Sequence, residues 1–155
     1  MYKINNSKEI EVFLVHPGGP FWKDKDLGAW SIPKGEVEES NNDVKEDFLL
    51  CAKREFEEEL GVKLKRNDSE FVYIGDVKQK SGKIVHCWIF EDKGEWPGFF
   101  MKQHIIEIEY PYKLGKMIKI PEVDKAQFFK LDIAKEKINP AQKEFIEMLE
   151  EKLKR

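Results

Sequence analysis

Residues 43–62 read DVKEDFLLCAKREFEEELGV, and the rest of the 155-residue chain is best read outward from them. At 3.6 residues per turn, Phe48, Ala52, Phe56 and Leu60 follow one another four apart, with Leu49 beside them, and form one apolar stripe. The stripe predicts a helix packed on a core. Glu55, Glu58 and Glu59 fall three and four apart, so three carboxylates share another face of that helix within one turn. Like charges at this spacing cost ~0.2–0.5 kcal/mol per pair. A cluster of oxygen donors of this kind suits a hard divalent cation, Mg²⁺ or alternatively Mn²⁺. Taken by itself, the acidic run is equally an ordinary solvated helix face. Asp43 is the expected N-cap, which puts Glu46 at the third helical position, where its side chain would complete a capping box.

The neighbouring residues favour the metal reading. Arg54 opens the cluster and Gly61-Val62 closes it, giving Arg-Glu-Phe-x-Glu-Glu-x-Gly-Val, and Glu46 stands eight residues before Arg54. This resembles the signature of the Nudix hydrolases, Gly-x5-Glu-x7-Arg-Glu-U-x-Glu-Glu-x-Gly-U, where U is a bulky apolar residue. One position departs from it. The first glycine of the signature would fall at Ser40, whereas the glycine present is Gly35, in Ser-Ile-Pro-Lys-Gly-Glu. The loop before the helix is therefore five residues longer than the pattern, with a polar insertion within residues 39–45 that is expected to bulge outward.

The resemblance implies a fold and a chemistry. The fold is α/β in the broad sense (α+β): a Nudix α/β/α sandwich with a mixed, curved sheet and a loop-helix-loop signature. The chemistry is metal-dependent hydrolysis of a diphosphate linkage. Glu55, Glu58 and Glu59 would be the metal ligands, with the Gly35 carbonyl as a further donor. Glu58 or Glu55 would take the proton of the attacking water, and Arg54 would orient the neighbouring carboxylates through charge-assisted hydrogen bonds. Members of the family often recruit one more carboxylate from late loops, and Glu107, Glu109 and Glu122 are the candidates.

Composition sets bounds on the whole chain. A 155-residue chain with 41% hydrophobic and 37% charged residues suits one globular domain with a sizeable core. A net charge of −3 disfavours an extended nucleic-acid surface, while a nucleotide pocket needs only local cations. No apolar run has membrane-spanning length and no cleavable leader is recognised, so a cytoplasmic protein without a membrane partner is expected. A homodimer is compatible with all of this. Cys51 and Cys87 are too few and too far apart for a zinc motif and read as reduced core thiols.

Along the chain, residues 10–16, IEVFLVH, read as a buried strand, and Met1 to Ile4 as the end of an earlier one, part of which would lie upstream of the present start. Residues 30–33 would form a short strand. Residues 71–77 and 84–90 flank a polar turn and predict a hairpin, with Trp88 in the core and His86 structural. Residues 105–110 alternate as a half-exposed strand does, and an acidic turn at Pro121 to Asp124 precedes an aromatic strand. In the terminal helix Asn139 is the expected N-cap, Pro140 the first residue and Gln142 the third, with Phe145, Met148, Leu149 and Leu153 buried.

The substrate would be chosen by loops outside the signature. Phe21 and Trp22 stand beside lysines and can stack a base or close over the core, and Trp30, Lys34 and Lys80 complete the candidate substrate contacts. The Pro-Lys-Gly form is similar to that of Nudix hydrolases of dinucleoside polyphosphates. Longer phrases such as Gly-Ala-Trp-Ser-Ile-Pro-Lys-Gly resemble a bacterial and archaeal subgroup described as nucleoside triphosphate pyrophosphohydrolases. The expected substrate is accordingly a nucleoside triphosphate or a dinucleoside polyphosphate. ADP-ribose or a nucleotide sugar is the enzymatic alternative, and a catalytically silent module binding a nucleotide or a protein is the alternative of another class.

Overall fold

A computed structural model describes residues 1–37 and 46–154. Its centre is strand β2 (Ile10–Pro17), which pairs antiparallel with β1 (Tyr2–Ile4) on one side and with β7 (Val123–Lys130) on the other. Side chains alternate across a strand, and here both faces are covered. Val12 and Leu14 join Trp30, Phe129, Ile138, Ile146 and Leu149 in one buried cluster. Phe13 and Val15 join Phe56, Leu60, Phe90 and Val123 in the other. This is why IEVFLVH carries an unbroken apolar run. Phe13 and Leu14 have no exposed surface at all, and each contributes roughly 1.5–3 kcal/mol by burial.

Helix α1 (Phe48–Leu60) supplies Phe56 and Leu60 to one cluster, and α2 (Leu131–Lys137) and α3 (Lys143–Lys154) cover the other face. The layering is therefore helix, sheet, helix, as expected. The hairpin of β3 (Val72–Lys78) and β4 (Ile84–Ile89) joins the sheet through Tyr2. The Tyr2 amide donates to Phe90 at 3.0 Å, and Asp92 donates to the Tyr2 carbonyl at 2.7 Å. This parallel bridge to Glu91, with a second between Trp30 and Ile138, makes an otherwise antiparallel arrangement mixed. A second hairpin, β5 (Ile105–Glu109) and β6 (Met117–Pro121), runs directly into β7. Among the described residues no helix is long and apolar enough to cross a membrane. Cys51 and Cys87 are buried and unbridged, and burial pushes each thiol up to about 11.

Several expectations are corrected. The cap of α1 is Asp47, whose carboxylate accepts from the amides of Leu49 at 3.0 Å and Leu50 at 3.1 Å. Glu46 thus precedes the helix instead of completing a capping box, and Asp43, like the insertion at 39–45, lies outside the described residues. Phe48, at the first helical position, is half-exposed and stacks on His86 with ring centres 4.5 Å apart. Residues 30–33 form single bridges and no full strand: Ser31 exchanges 2.9 Å backbone bonds with Val15, and Trp30 is held by Lys137 and Asn139. A 3₁₀ turn, Pro140–Gln142, precedes α3; Asn139 caps that turn, accepting from Ala141 at 3.0 Å. Strand β6 and helix α2 carry too little apolar periodicity to have been read.

Candidate active site

The site is assembled where the chain crosses α1 before entering it. Trp30 and Ser31 are tied to the sheet, and Gln142, fully buried in the 3₁₀ turn before α3, fixes the next residue: its Oε1 accepts from the Ile32 amide at 3.0 Å, and its Nε2 donates to Ser31 Oγ at 3.1 Å. Pro33, Lys34 and Gly35 then pass over the acidic face of α1. The Lys34 amide points at Glu59 Oε2 from 3.3 Å. Gly35 is packed against Glu55, with room for no side chain.

Arg54 organises the outer edge. Its Nε and Nη2 donate to the two oxygens of Glu46 at 2.9 Å each, its Nη1 donates to Glu55 at 2.9 Å, and its Nη2 also reaches the Glu36 carbonyl at 3.1 Å. The bond to Glu46, then that to Glu55, raises the guanidinium above its ordinary value despite partial burial. The two signature residues before the acidic run are thus one bidentate pair, and the pair orients Glu55.

The carboxylates differ in environment. Glu59 is only 7% exposed. Burial, followed by the charges of Glu122 and Glu55, pushes its carboxyl up to about 8, and the Lys34 amide and ammonium only partly offset this. Glu55 is also raised, chiefly by burial, with Arg54 opposing and Glu58 and Glu122 adding to the rise. Glu58 lies toward solvent, its side chain 44% exposed and 3.5 Å from Arg54. Glu57 faces away and accepts from the Leu64 amide at 2.8 Å, closing the helix end.

Of the three late candidates, Glu122 is the one that approaches. Its charge acts on both Glu55 and Glu59. Glu107 pairs across the hairpin with Lys119 at 3.9 Å, and Glu109 accepts from Gly115 in the turn. Glu122 is in turn bonded to His104, whose Nδ1 lies 2.6 Å from Oε2. Nothing in the sequence singled out His104, which sits in a stretch with no periodicity. Gln142 reads in the sequence as a helix-start residue, and its buried bonds to Ile32 and Ser31 are non-local.

The expected substrate contacts separate. Lys34 is exposed beside the cluster. Lys83 pairs with Glu36 and so brings the β3–β4 turn, with Lys80 exposed on it, toward the Gly35 loop. Phe21 is exposed, but Lys25 Nζ sits 3.3 Å from its ring centre and Trp22 packs against its edge at 5.0 Å. Trp30 is not brought to the site: its ring is buried against Phe129 and His16, and its N–H donates to Asp26 at 2.7 Å. A cavity of about 600 Å³ lies between α1 and β4, lined by Lys34, Gly35 and Lys83 and by Phe48, His86 and Trp88.

The donor set fits a hard divalent cation in its chemistry. Glu55, Glu59 and Glu122 are close enough for their charges to act on one another, and Glu59 is held above its ordinary ionisation range first by burial and then by the other two. As the side chains lie, no three acidic, cysteine or histidine groups among the described residues are gathered tightly enough to enclose an ion. Glu55 is drawn to Arg54 and Glu122 to His104.

A family model described as NUDIX domain matches residues 1–149. No curated protein matches the chain. Nudix domains hydrolyse pyrophosphate bonds in nucleotide-like substrates and generally use divalent metal ions. A match over nearly the whole length, on a chain whose Glu55, held by Arg54, packs against Gly35 on the acidic face of α1, leaves one conclusion: this protein belongs to the Nudix family.

Proposed function

We propose that the protein is a Mg²⁺-dependent hydrolase of a nucleoside triphosphate or dinucleoside polyphosphate. The observation that carries this reading is the burial of Glu59 beside Glu55 and Glu122, beneath Lys34 and Gly35. A buried carboxylate cluster is costly unless a cation is part of its working state. Glu55, Glu58 and Glu59, with the Gly35 carbonyl, would hold the ion. A bound Mg²⁺ supplies charge to offset the diphosphate oxygens and acidifies water; Mn²⁺ would serve similarly.

The chain's own residues do the rest. Lys34, exposed next to the cluster, meets a phosphate oxygen. Arg54 keeps Glu55 turned to the Gly35 loop. Glu58, the most exposed of the three, accepts the proton of the attacking water, with Glu55 as the second choice. The water oxygen bonds to phosphorus, the bridging phosphorus–oxygen bond breaks, and the departing phosphate carries away the bond's electron pair. The cavity beside Lys34 and Lys83 has the size of a small-ligand pocket and aromatic walls suited to a base.

The test is product analysis with diadenosine polyphosphates, nucleoside triphosphates, ADP-ribose and a nucleotide sugar, each with Mg²⁺ and with chelator. Metal-dependent cleavage confined to the first two classes is expected. Preference for ADP-ribose or the sugar would overturn the substrate assignment, and no cleavage of any would overturn the hydrolase reading.

A further inference from the structure

The hairpin of β5 and β6 does more than present Glu122. Its register pairs Ile105 with Pro121, so the next two residues outward, His104 and Glu122, face each other. The Glu122 amide donates to the His104 carbonyl at 2.9 Å, and the Gly18 amide donates to the Glu122 carbonyl at 3.0 Å. The backbone of Glu122 is thereby fixed from both sides. Its carboxylate is fixed separately, by His104 Nδ1 at 2.6 Å. A carboxylate oxygen accepts, so Nδ1 carries the hydrogen.

The segment holding His104 is itself seated on the signature helix. At Gly61, where α1 ends with φ of 66°, an added Cβ would come 2.2 Å from the Lys102 carbonyl oxygen. Only a glycine lets residues 102–104 lie this close to the helix end that carries Glu58 and Glu59. Arg54, Glu58, Gly61 and His104 line one shallow depression at that end.

We infer that His104 is a positioning residue that holds the Glu122 carboxylate at the Glu55–Glu59 cluster. Without that bond, Glu122 would be driven outward by the like charges it faces. His104 is 45% exposed, so this work is separable from core packing. Partners that orient a metal-site carboxylate in this way typically contribute 10- to 100-fold in metal affinity or activity. The inference rests on the metal site of the proposed function; its kinetic part rests in addition on the proposed hydrolysis.

The test compares wild type, His104→Ala, His104→Asn, Glu122→Gln and the His104→Ala/Glu122→Gln double variant. Mn²⁺ affinity is read by electron paramagnetic resonance, and kcat and KM on the best substrate of the panel. His104→Ala should lose roughly 10- to 100-fold in Mn²⁺ affinity or in kcat, with KM within about twofold and the melting temperature unchanged. His104→Asn, whose amide can donate from nearly the same place, should recover most of the loss. In the Glu122→Gln background, His104→Ala should add less than about twofold. Wild-type values for His104→Ala, no recovery in His104→Asn, or an undiminished effect in the double variant would each overturn the inference. A wild type that binds Mn²⁺ but cleaves nothing overturns the hydrolase reading alone, and the titrations still decide His104. A wild type that binds no Mn²⁺ overturns both.

Discussion

The Glu55 carboxylate lies on the α-carbon of Gly35, so close that a Cβ added there would stand 1.8 Å from its carboxyl carbon. Backbone and carboxylate are packed as one unit, and Arg54 locks the carboxylate from the other side at 2.9 Å. Gly35→Ala must therefore turn Glu55 away or lift the Lys34–Gly35 loop. A displacement of about 1 Å at reacting groups is enough to cost ~100-fold. We expect Gly35→Ala to lose activity by about that factor while its circular dichroism spectrum stays that of wild type; a fully active variant would remove the Gly35 loop from the site.

Glu59→Gln separates metal binding from folding. The amide is neutral at every pH, so the folded state no longer has to take up a proton to bury this group beside Glu55 and Glu122, and the volume hardly changes. The metal-free variant should melt at or above the wild-type temperature. Mg²⁺ should raise the melting temperature of wild type by mass action and leave that of the variant in place. Turnover should fall sharply, by about 100-fold or more. Scanning fluorimetry with and without Mg²⁺, run beside the assay, checks both halves; an equal Mg²⁺ shift in the two proteins would take Glu59 out of the ligand set.

Gln142→Leu tests the anchor of the loop. The substitution roughly conserves volume but leaves the Ile32 amide and the Ser31 hydroxyl without the buried partner they now have. The expected cost is ~1–3 kcal/mol, seen as a lower denaturation midpoint. Activity should also fall, because Ile32 leads directly into Lys34 and Gly35. Wild-type stability in this variant would mean that Trp30 and Ser31 hold the loop by backbone bonds alone.

The signature helix was legible because its spacing fixes placement: Arg54, Glu55 and Glu59 fall on α1 and Gly61 on its cap, and Arg54 meets Glu55, as their intervals imply. The strand IEVFLVH was legible because burial on both faces leaves a continuous apolar run. The start of α1 was misread because Asp43 and Asp47 are equally good caps in sequence, and only the pairing of Glu46 with Arg54 requires Glu46 to stand outside the helix. Trp30 looked like a ligand contact because an aromatic residue before a glycine loop reads the same whether it faces a base or the core. The choice among Glu107, Glu109 and Glu122 turned on hairpin register, and the role of His104 on the approach of Lys102 to Gly61. Both are non-local relations that no single window of sequence contains.

Away from the site, Arg66 gives the chain a defined acid sensitivity. Its side chain is 4% exposed, its Nε donates to Glu95 at 2.5 Å, and its guanidinium lies 4.9 Å from the centre of the Phe90 ring. Burial alone would raise Glu95, but the bond from Arg66 and the amide of Lys93 outweigh it and bring the carboxyl down to about 2. A folded-state value below the unfolded one means stability that is complete above the unfolded value, about 4.3 for a glutamate, and is lost as pH falls through the folded value. Wild type should therefore lose this contribution between about pH 4.3 and pH 2. Glu95→Gln removes the charge and leaves the guanidinium buried with a weaker acceptor, at a cost of about 2 kcal/mol near neutral pH. The difference between the two proteins should shrink steadily across the same acid window. Urea midpoints measured at several pH values decide it: a gap that stays constant down to pH 2 would show that Glu95 packs against Arg66 without contributing its charge.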